Sequence, residues 1–113
     1  MIITETTLYG QGNQYRIKYI VDDEIVGSCS CLIYQNNKAK VMYVDEVFVE
    51  EEHRGKGYGK EIMYEAIEFA RTQNVDSVEL TVNDDNVIAR NLYQKLEFVE
   101  TSKKYCRRIL NIF

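Results

Sequence analysis

Up to residue 49 the apolar positions fall in short runs rich in β-branched and aromatic residues, and from Gly57 onward they recur at helical spacing. Residues 2–9 read as a first strand, closed by the polar turn Gly10, Gln11, Gly12, Asn13. Residues 15–21, 25–34 and 39–49 are three further β-like runs, separated by turns at 22–24 and at Asn36 and Asn37. Together those three runs predict an antiparallel meander. In the run 25–34, Ile25, Gly27, Cys29, Cys31 and Ile33 share one face, while Val26, Ser28, Ser30, Leu32 and Tyr34 share the other. Both faces are partly apolar, which predicts a sheet covered on both sides.

After Gly57 the stripe Ile62, Ala66, Phe69 and Ala70, widened by Met63 and Ile67, predicts a helix ending near Asn74. Residues 77–82 alternate like a strand. Residues 86–96 carry a second helical stripe at Ile88, Leu92 and Leu96, and 98–101 and 105–112 are β-like. The order β-β-β-β-α-β-α-β-β predicts a mixed α/β fold, a mostly antiparallel sheet of about six to seven strands with two main helices. No repeat or Pro/Gly/Ser linker interrupts the chain and proline is absent, so its 113 residues are expected to form one domain, 1–113.

Composition narrows the function classes. Apolar residues make up 45% and charged residues 28%, the balance of a protein that folds rather than of a disordered chain. A net charge of −4 argues against nucleic acid as a partner, because phosphate binding needs clustered Lys and Arg, and it suits an amine better. The first ten residues lack a basic stretch followed by an apolar run, and no segment approaches the roughly 18 apolar residues of a membrane span, so a cytoplasmic protein with no membrane partner is expected. Cys29, Cys31 and Cys106 read as small buried hydrophobes. With His53 the sole histidine and no second Cys pair, no metal site is expected.

The densest chemical signal is V-E-E-E-H-R-G-K-G-Y-G-K, residues 49–60, which holds Gly55, Gly57 and Gly59 between a β run and a helix. A glycine-rich turn entering a helix is an anion site, because the first helical N–H groups are unpaired and carry partial positive charge. The spacing is not that of a dinucleotide-binding turn, and Glu61 stands where a Walker loop needs Ser or Thr. What remains is R-x-x-G-x-G, as Arg54, Gly57 and Gly59. Downstream, N-V-I-A-R-N-L-Y-Q-K-L-E-F over residues 86–98 adds Asn86, Leu92, Tyr93, Lys95 and Phe98 on the second predicted helix.

These two motifs, in this order and on these elements, resemble those of the GCN5-related N-acetyltransferase (GNAT) superfamily over roughly residues 15–110. The resemblance implies a GNAT-like fold and acetyl-CoA as cofactor. It implies that the main chain at Phe48 and Val49 holds the pantetheine arm. The loop Arg54, Gly55, Lys56, Gly57, Tyr58, Gly59 and Lys60 then surrounds the pyrophosphate. The resemblance implies that Asn86 bonds the arm; capping its helix is the plainer role, and the two roles are compatible. Tyr93 is the implied general acid toward the leaving sulfur, with helix packing as the plainer role.

Acetyl transfer to an amine also needs a group that takes the amine's proton, since a lysine-like amine of pKa about 10.4 costs about 4.6 kcal/mol to neutralise at pH 7. Asp45 resembles the carboxylate that serves polyamine-type acetyltransferases, and Glu46 is the fallback. Strand alternation sends the two to opposite faces, so only one is expected to face a given pocket. Thr81 stands where N-terminal acetyltransferases of the family carry a Glu, which counts against that substrate class. His53 reads as a surface residue. The expected activity is N-acetylation of a primary amine, polyamine-like or lysine, and the alternative is a CoA-binding module without catalysis.

The pattern departs from the family in two places. Only residues 10–13 join the first two strands, where the family usually has two helices, so the acceptor side is either open or closed by a second subunit; a homodimer is expected from family habit. Glu97 replaces the usual glycine before Phe98, where a left-handed backbone would cost roughly 1 kcal/mol.

Overall fold

The computed structural model describes residues 2–9, 12–101 and 105–110. Strands β1 (Ile2–Tyr9), β2 (Gly12–Val21), β3 (Glu24–Gln35) and β4 (Lys40–Val49) are followed by a single 3-10 turn at Glu51–His53. Helix α1 (Tyr58–Thr72), β5 (Ser77–Thr81), α2 (Val87–Lys95), β6 (Val99–Glu100) and β7 (Tyr105–Ile109) complete the chain. Element order and type are those the sequence predicts. Strand β2 starts earlier than its β-branched run, at Gly12 opposite Tyr9, because ladder pairing with β1 recruits the polar residues 12–14. Asp22 and Asp23 both take positive φ, 51° and 63°, the geometry a two-residue hairpin turn requires.

The seven strands form one sheet in the order β1-β2-β3-β4-β5-β7-β6. Strands β4 and β5 pair in parallel, and the other pairings described are antiparallel. A parallel neighbour needs a crossover, which α1 supplies between β4 and β5; α2 makes the same kind of crossover from β5 to β6. Right-handed crossovers that move the same way along a sheet put both helices on the same face. The core accordingly lies on that face, where Ile62, Met63, Ala66, Ile67 and Ala70 of α1 pack with Ile17, Cys29, Cys31, Met42, Val44 and Val78. Tyr93 and Leu96 extend the same cluster. The Cys29 and Cys31 thiols are free, buried and 4.0 Å apart; the hydrogen bond to Cys29 and burial push the Cys31 thiol up, so it stays protonated and packs as a small apolar group. Cys106 has its side chain outside the described residues.

The opposite face meets the expectation of a sheet covered on both sides only in part, since Ser30, Val41, Ser77 and Glu79 on it are buried. Among the described residues no helix lies over Gln14, Arg16, Ser28, Leu32 and Tyr43, which remain half-buried. Both helices are committed to the other face by their crossovers.

Candidate active site

Strands β4 and β5 are laddered only at Val41, Met42 and Tyr43. Beyond Tyr43 they diverge, and the Tyr43 and Thr81 hydroxyls, 2.8 Å apart, mark the end of the shared segment. The β4 edge that faces β5 is therefore without a strand partner from residue 44 onward. Glu50 donates its N–H to the Val26 carbonyl, so by strand alternation Phe48 also turns its main chain toward β3, where it pairs with Ser28. Val47 and Val49 turn theirs toward the opening.

A bulge shapes the mouth of this opening. Ser28 pairs with Phe48, but Ser30 pairs with Asp45, so β4 spends three residues where β3 spends two. Glu46 takes the strain with φ 53°, and its N–H is held by Asp45 Oδ1 at 2.8 Å. The consequence overturns the alternation argument, because the extra residue returns Glu46 to the side that Asp45 occupies. Both carboxylates line one cleft of about 320 Å³ together with Val47, Thr81, Asn86 and Tyr93. Arg16 donates to Ser30 Oγ at 3.0 Å and approaches Glu46 Oε2 at 3.4 Å on the same side of the sheet.

Helix α2 presents Tyr93 and Asn86 to this cleft, and its two ends explain how. Asn86 is the N-cap, with Oδ1 accepting the Ala89 N–H at 3.1 Å, which leaves its amide N–H groups as donors. The far end closes as a Schellman motif: Phe98 N–H bonds the Tyr93 carbonyl at 3.0 Å and Glu97 N–H bonds the Gln94 carbonyl at 3.0 Å. Glu97 supplies the left-handed residue, φ 69°, that glycine would supply without strain, and its carboxylate reaches Arg108 at 2.9 Å. The hydrophobic contact that accompanies such a motif is Tyr93 against Phe98, ring centroids 5.9 Å apart. The stop signal of the helix thus also fixes the Tyr93 ring.

The glycine loop joins the opening at its other end. Gly55 and Gly57 have φ 79° and 85°, and a Cβ at either would meet no atom within 4 Å, so backbone conformation and not crowding requires glycine there. Gly57 is the N-cap of α1 and has no side-chain cap, so the first-turn N–H groups of Tyr58, Gly59 and Lys60 are not satisfied by a capping side chain. Arg54 donates Nε to the Val49 carbonyl at 2.9 Å, and its guanidinium carbon lies 5.3 Å from the Phe48 ring centroid. Arg54, Lys56 and Lys60 are exposed, while Tyr58 is half-buried against Tyr19 and His53. His53 Nε2 meets Glu24 Oε1 at 3.1 Å, away from the cleft, and ties the turn before the loop to the start of β3.

The sequence-derived residues thus fall into two groups. Asp45, Glu46, Asn86 and Tyr93 share the cleft, and residues 54–60 form the loop at one end of the same strand edge. Two residues beside this cleft are absent from the sequence reading: Val47, which lines it next to the bulge, and Arg16, whose register opposite Ser30 has no local signal.

An open edge beside parallel strands, entered from a glycine turn at a helix N-terminus, defines the class as a mixed α/β protein. The profile of the Acetyltransferase (GNAT) family matches residues 5–98, and the chain belongs to that family. It is 35% identical over 74 residues to an uncharacterised N-acetyltransferase of Methanocaldococcus jannaschii, a match covering 65% of this chain and 33% of that protein. Human N-acetyltransferase 8B is 28% identical over 86 residues, covering 74% of this chain and 38% of that one. Among solved structures, a ribosomal-protein-alanine N-acetyltransferase of Brucella melitensis superposes with a TM-score of 0.74 at 18% identity, over 86% of this chain and 69% of that chain, a likeness of fold. The chain spans about a third to half of the length of the curated relatives it matches.

Proposed function

We propose that this chain is an acetyl-CoA-dependent N-acetyltransferase, one domain over residues 1–113, acting on a primary amine of a small polyamine-like molecule or of lysine. The bulge at Glu46 carries the reading, because it sets two carboxylates and Tyr93 around one cleft beside an unladdered strand edge. When bound, acetyl-CoA supplies the activated acyl group. Val47 and Val49 offer main-chain donors and acceptors to the arm, with Phe48 between them facing β3, and Asn86 adds a side-chain amide. The loop of Arg54, Gly55, Lys56, Gly57, Tyr58, Gly59 and Lys60 takes the pyrophosphate through first-turn N–H groups and basic side chains.

Asp45 is the carboxylate that draws in the cationic amine and accepts its proton, directly or through a water, with Glu46 beside it as the alternative base. The new N–C bond forms as the C–S bond breaks, and the Tyr93 hydroxyl gives the departing sulfur its proton. The protein acts in the cytoplasm as a homodimer whose second copy walls part of the open sheet face. No described helix is long and apolar enough to cross a membrane.

A thiol-release assay over polyamines, aminoglycosides, amino acids and lysine peptides tests the activity. Turnover with at least one class is expected. Tight acetyl-CoA binding without turnover across the panel would favour a CoA-binding module that does not catalyse, a reading favoured by the short connection from β1 to its neighbour β2, where the family usually has two helices.

A further inference from the structure

The free edge of β4 ends at a contact that competes with the cofactor arm. Val49 turns its main chain toward the opening, and on that side no described strand pairs with it. Its carbonyl oxygen is nevertheless engaged, by Arg54 Nε at 2.9 Å. The same guanidinium lies 5.3 Å from the centroid of the Phe48 ring, which is 46% exposed. One side chain thus lies alongside residues 48 and 49, at the end of the edge that the pantetheine arm has to occupy. The oxygen has a second lone pair, but the guanidinium stands beyond it in the opening, the direction from which an amide of the arm must approach.

Arg54 can leave this position without disturbing the fold. It is exposed, and its main chain is set by the turn before it, with its N–H on the Glu51 carbonyl at 3.3 Å. Gly57, the N-cap of α1, is three residues further on, a span of at most about 11 Å, so the first turn of α1 lies within the swing of the side chain. Its resting partners are uncharged: a carbonyl oxygen and an exposed aromatic face, the second a weak hold. A diphosphate at the helix N-terminus offers charged oxygens to a fork of guanidinium donors, a stronger arrangement than one bond to a carbonyl.

We propose that Arg54 exchanges partners as the cofactor binds. In the free protein it caps the Val49 carbonyl; a diphosphate draws it off and frees that carbonyl for an N–H of the arm. Arg54 is in this scheme a specificity residue for the donor, because the arm's place on β4 is opened by the diphosphate of the same ligand. Phosphate-free pantetheine has to displace the guanidinium unaided. The exchange rests on the acetyl-CoA reading of the loop and strand edge.

Calorimetric titration with pantetheine, alone and at saturating inorganic diphosphate, reads the exchange without any acetyl transfer. In the wild type, diphosphate is expected to tighten pantetheine binding about fivefold, and pantetheine to tighten diphosphate by the same factor. Arg54→Met keeps an unbranched side chain and removes its donors. The variant should bind pantetheine alone about fivefold more tightly than the wild type and gain nothing further from diphosphate. It should bind CoA about threefold more weakly, because the charged contact it lacks outweighs the carbonyl contact. Effects of opposite sign on the two ligands separate an exchange from a side chain that only touches the cofactor. Independent binding of pantetheine and diphosphate to the wild type, or an Arg54→Met protein that binds pantetheine no more tightly, would overturn the proposal. Wild-type protein that binds no CoA would instead remove the acetyl-CoA reading, and the exchange with it.

Discussion

Tyr93→Phe is expected to lower turnover at least tenfold with little change in acetyl-CoA affinity. The substitution deletes one hydroxyl and keeps the ring, which is buried against Phe98 and fixed by the Schellman closure of α2. Helix and cleft shape should therefore persist. A tenfold loss is about 1.4 kcal/mol on the barrier, the low end for a positioned general acid. Steady-state kinetics with a saturating amine, beside calorimetry with acetyl-CoA, separates chemistry from binding. Unchanged turnover would remove Tyr93 from the acid role and leave it a packing residue.

Gly27→Ala is expected to cost about 1–3 kcal/mol of stability and to weaken acetyl-CoA binding with it. A Cβ at Gly27 would stand 2.5 Å from Ile62 Cδ1 and 2.6 Å from the Phe48 carbonyl oxygen. The isoleucine can turn aside, but the carbonyl belongs to the β4 backbone and cannot. Relief requires β3 and the end of β4 to separate where Val49 pairs with Gly27, and so moves the strand edge beside the loop. Urea unfolding measures the first effect and titration with acetyl-CoA the second. A variant with the wild-type midpoint and affinity would mean that the approach of these strands does not matter to the site.

Most of the architecture was legible because local signals agreed with one another. Alternating glycines between a β run and an amphipathic helix located the loop, and the stretch from Asn86 to Phe98 located a helix with its cap at one end and its stop at the other. Even the strain at Glu97 could be read, since the position before Phe98 needs a left-handed residue and the sequence offers no glycine there. The relation of Asp45 to Glu46 could not. It depends on a bulge at a glutamate with positive φ, in the part of β4 that has left β5 and pairs with β3 alone. The half-buried part of the opposite face was hidden for a similar reason. Leu32 and Tyr34 read as a buried surface, and the direction of both crossovers, a property of the whole sheet, puts both helices on the other side. Arg16 comes beside Glu46 through register with Ser30, a long-range pairing that no short window of sequence contains.

The central claim is that the opening between β4 and β5, and the loop that feeds it, take acetyl-CoA. Amide hydrogen exchange with and without the cofactor tests this most directly. Added protection is predicted at Val47 and Val49 on the open edge of β4 and at Tyr58, Gly59 and Lys60 in the first turn of α1, with little change along β1 and β2. No gain in protection at saturating acetyl-CoA, or a gain confined to other segments, would contradict the account.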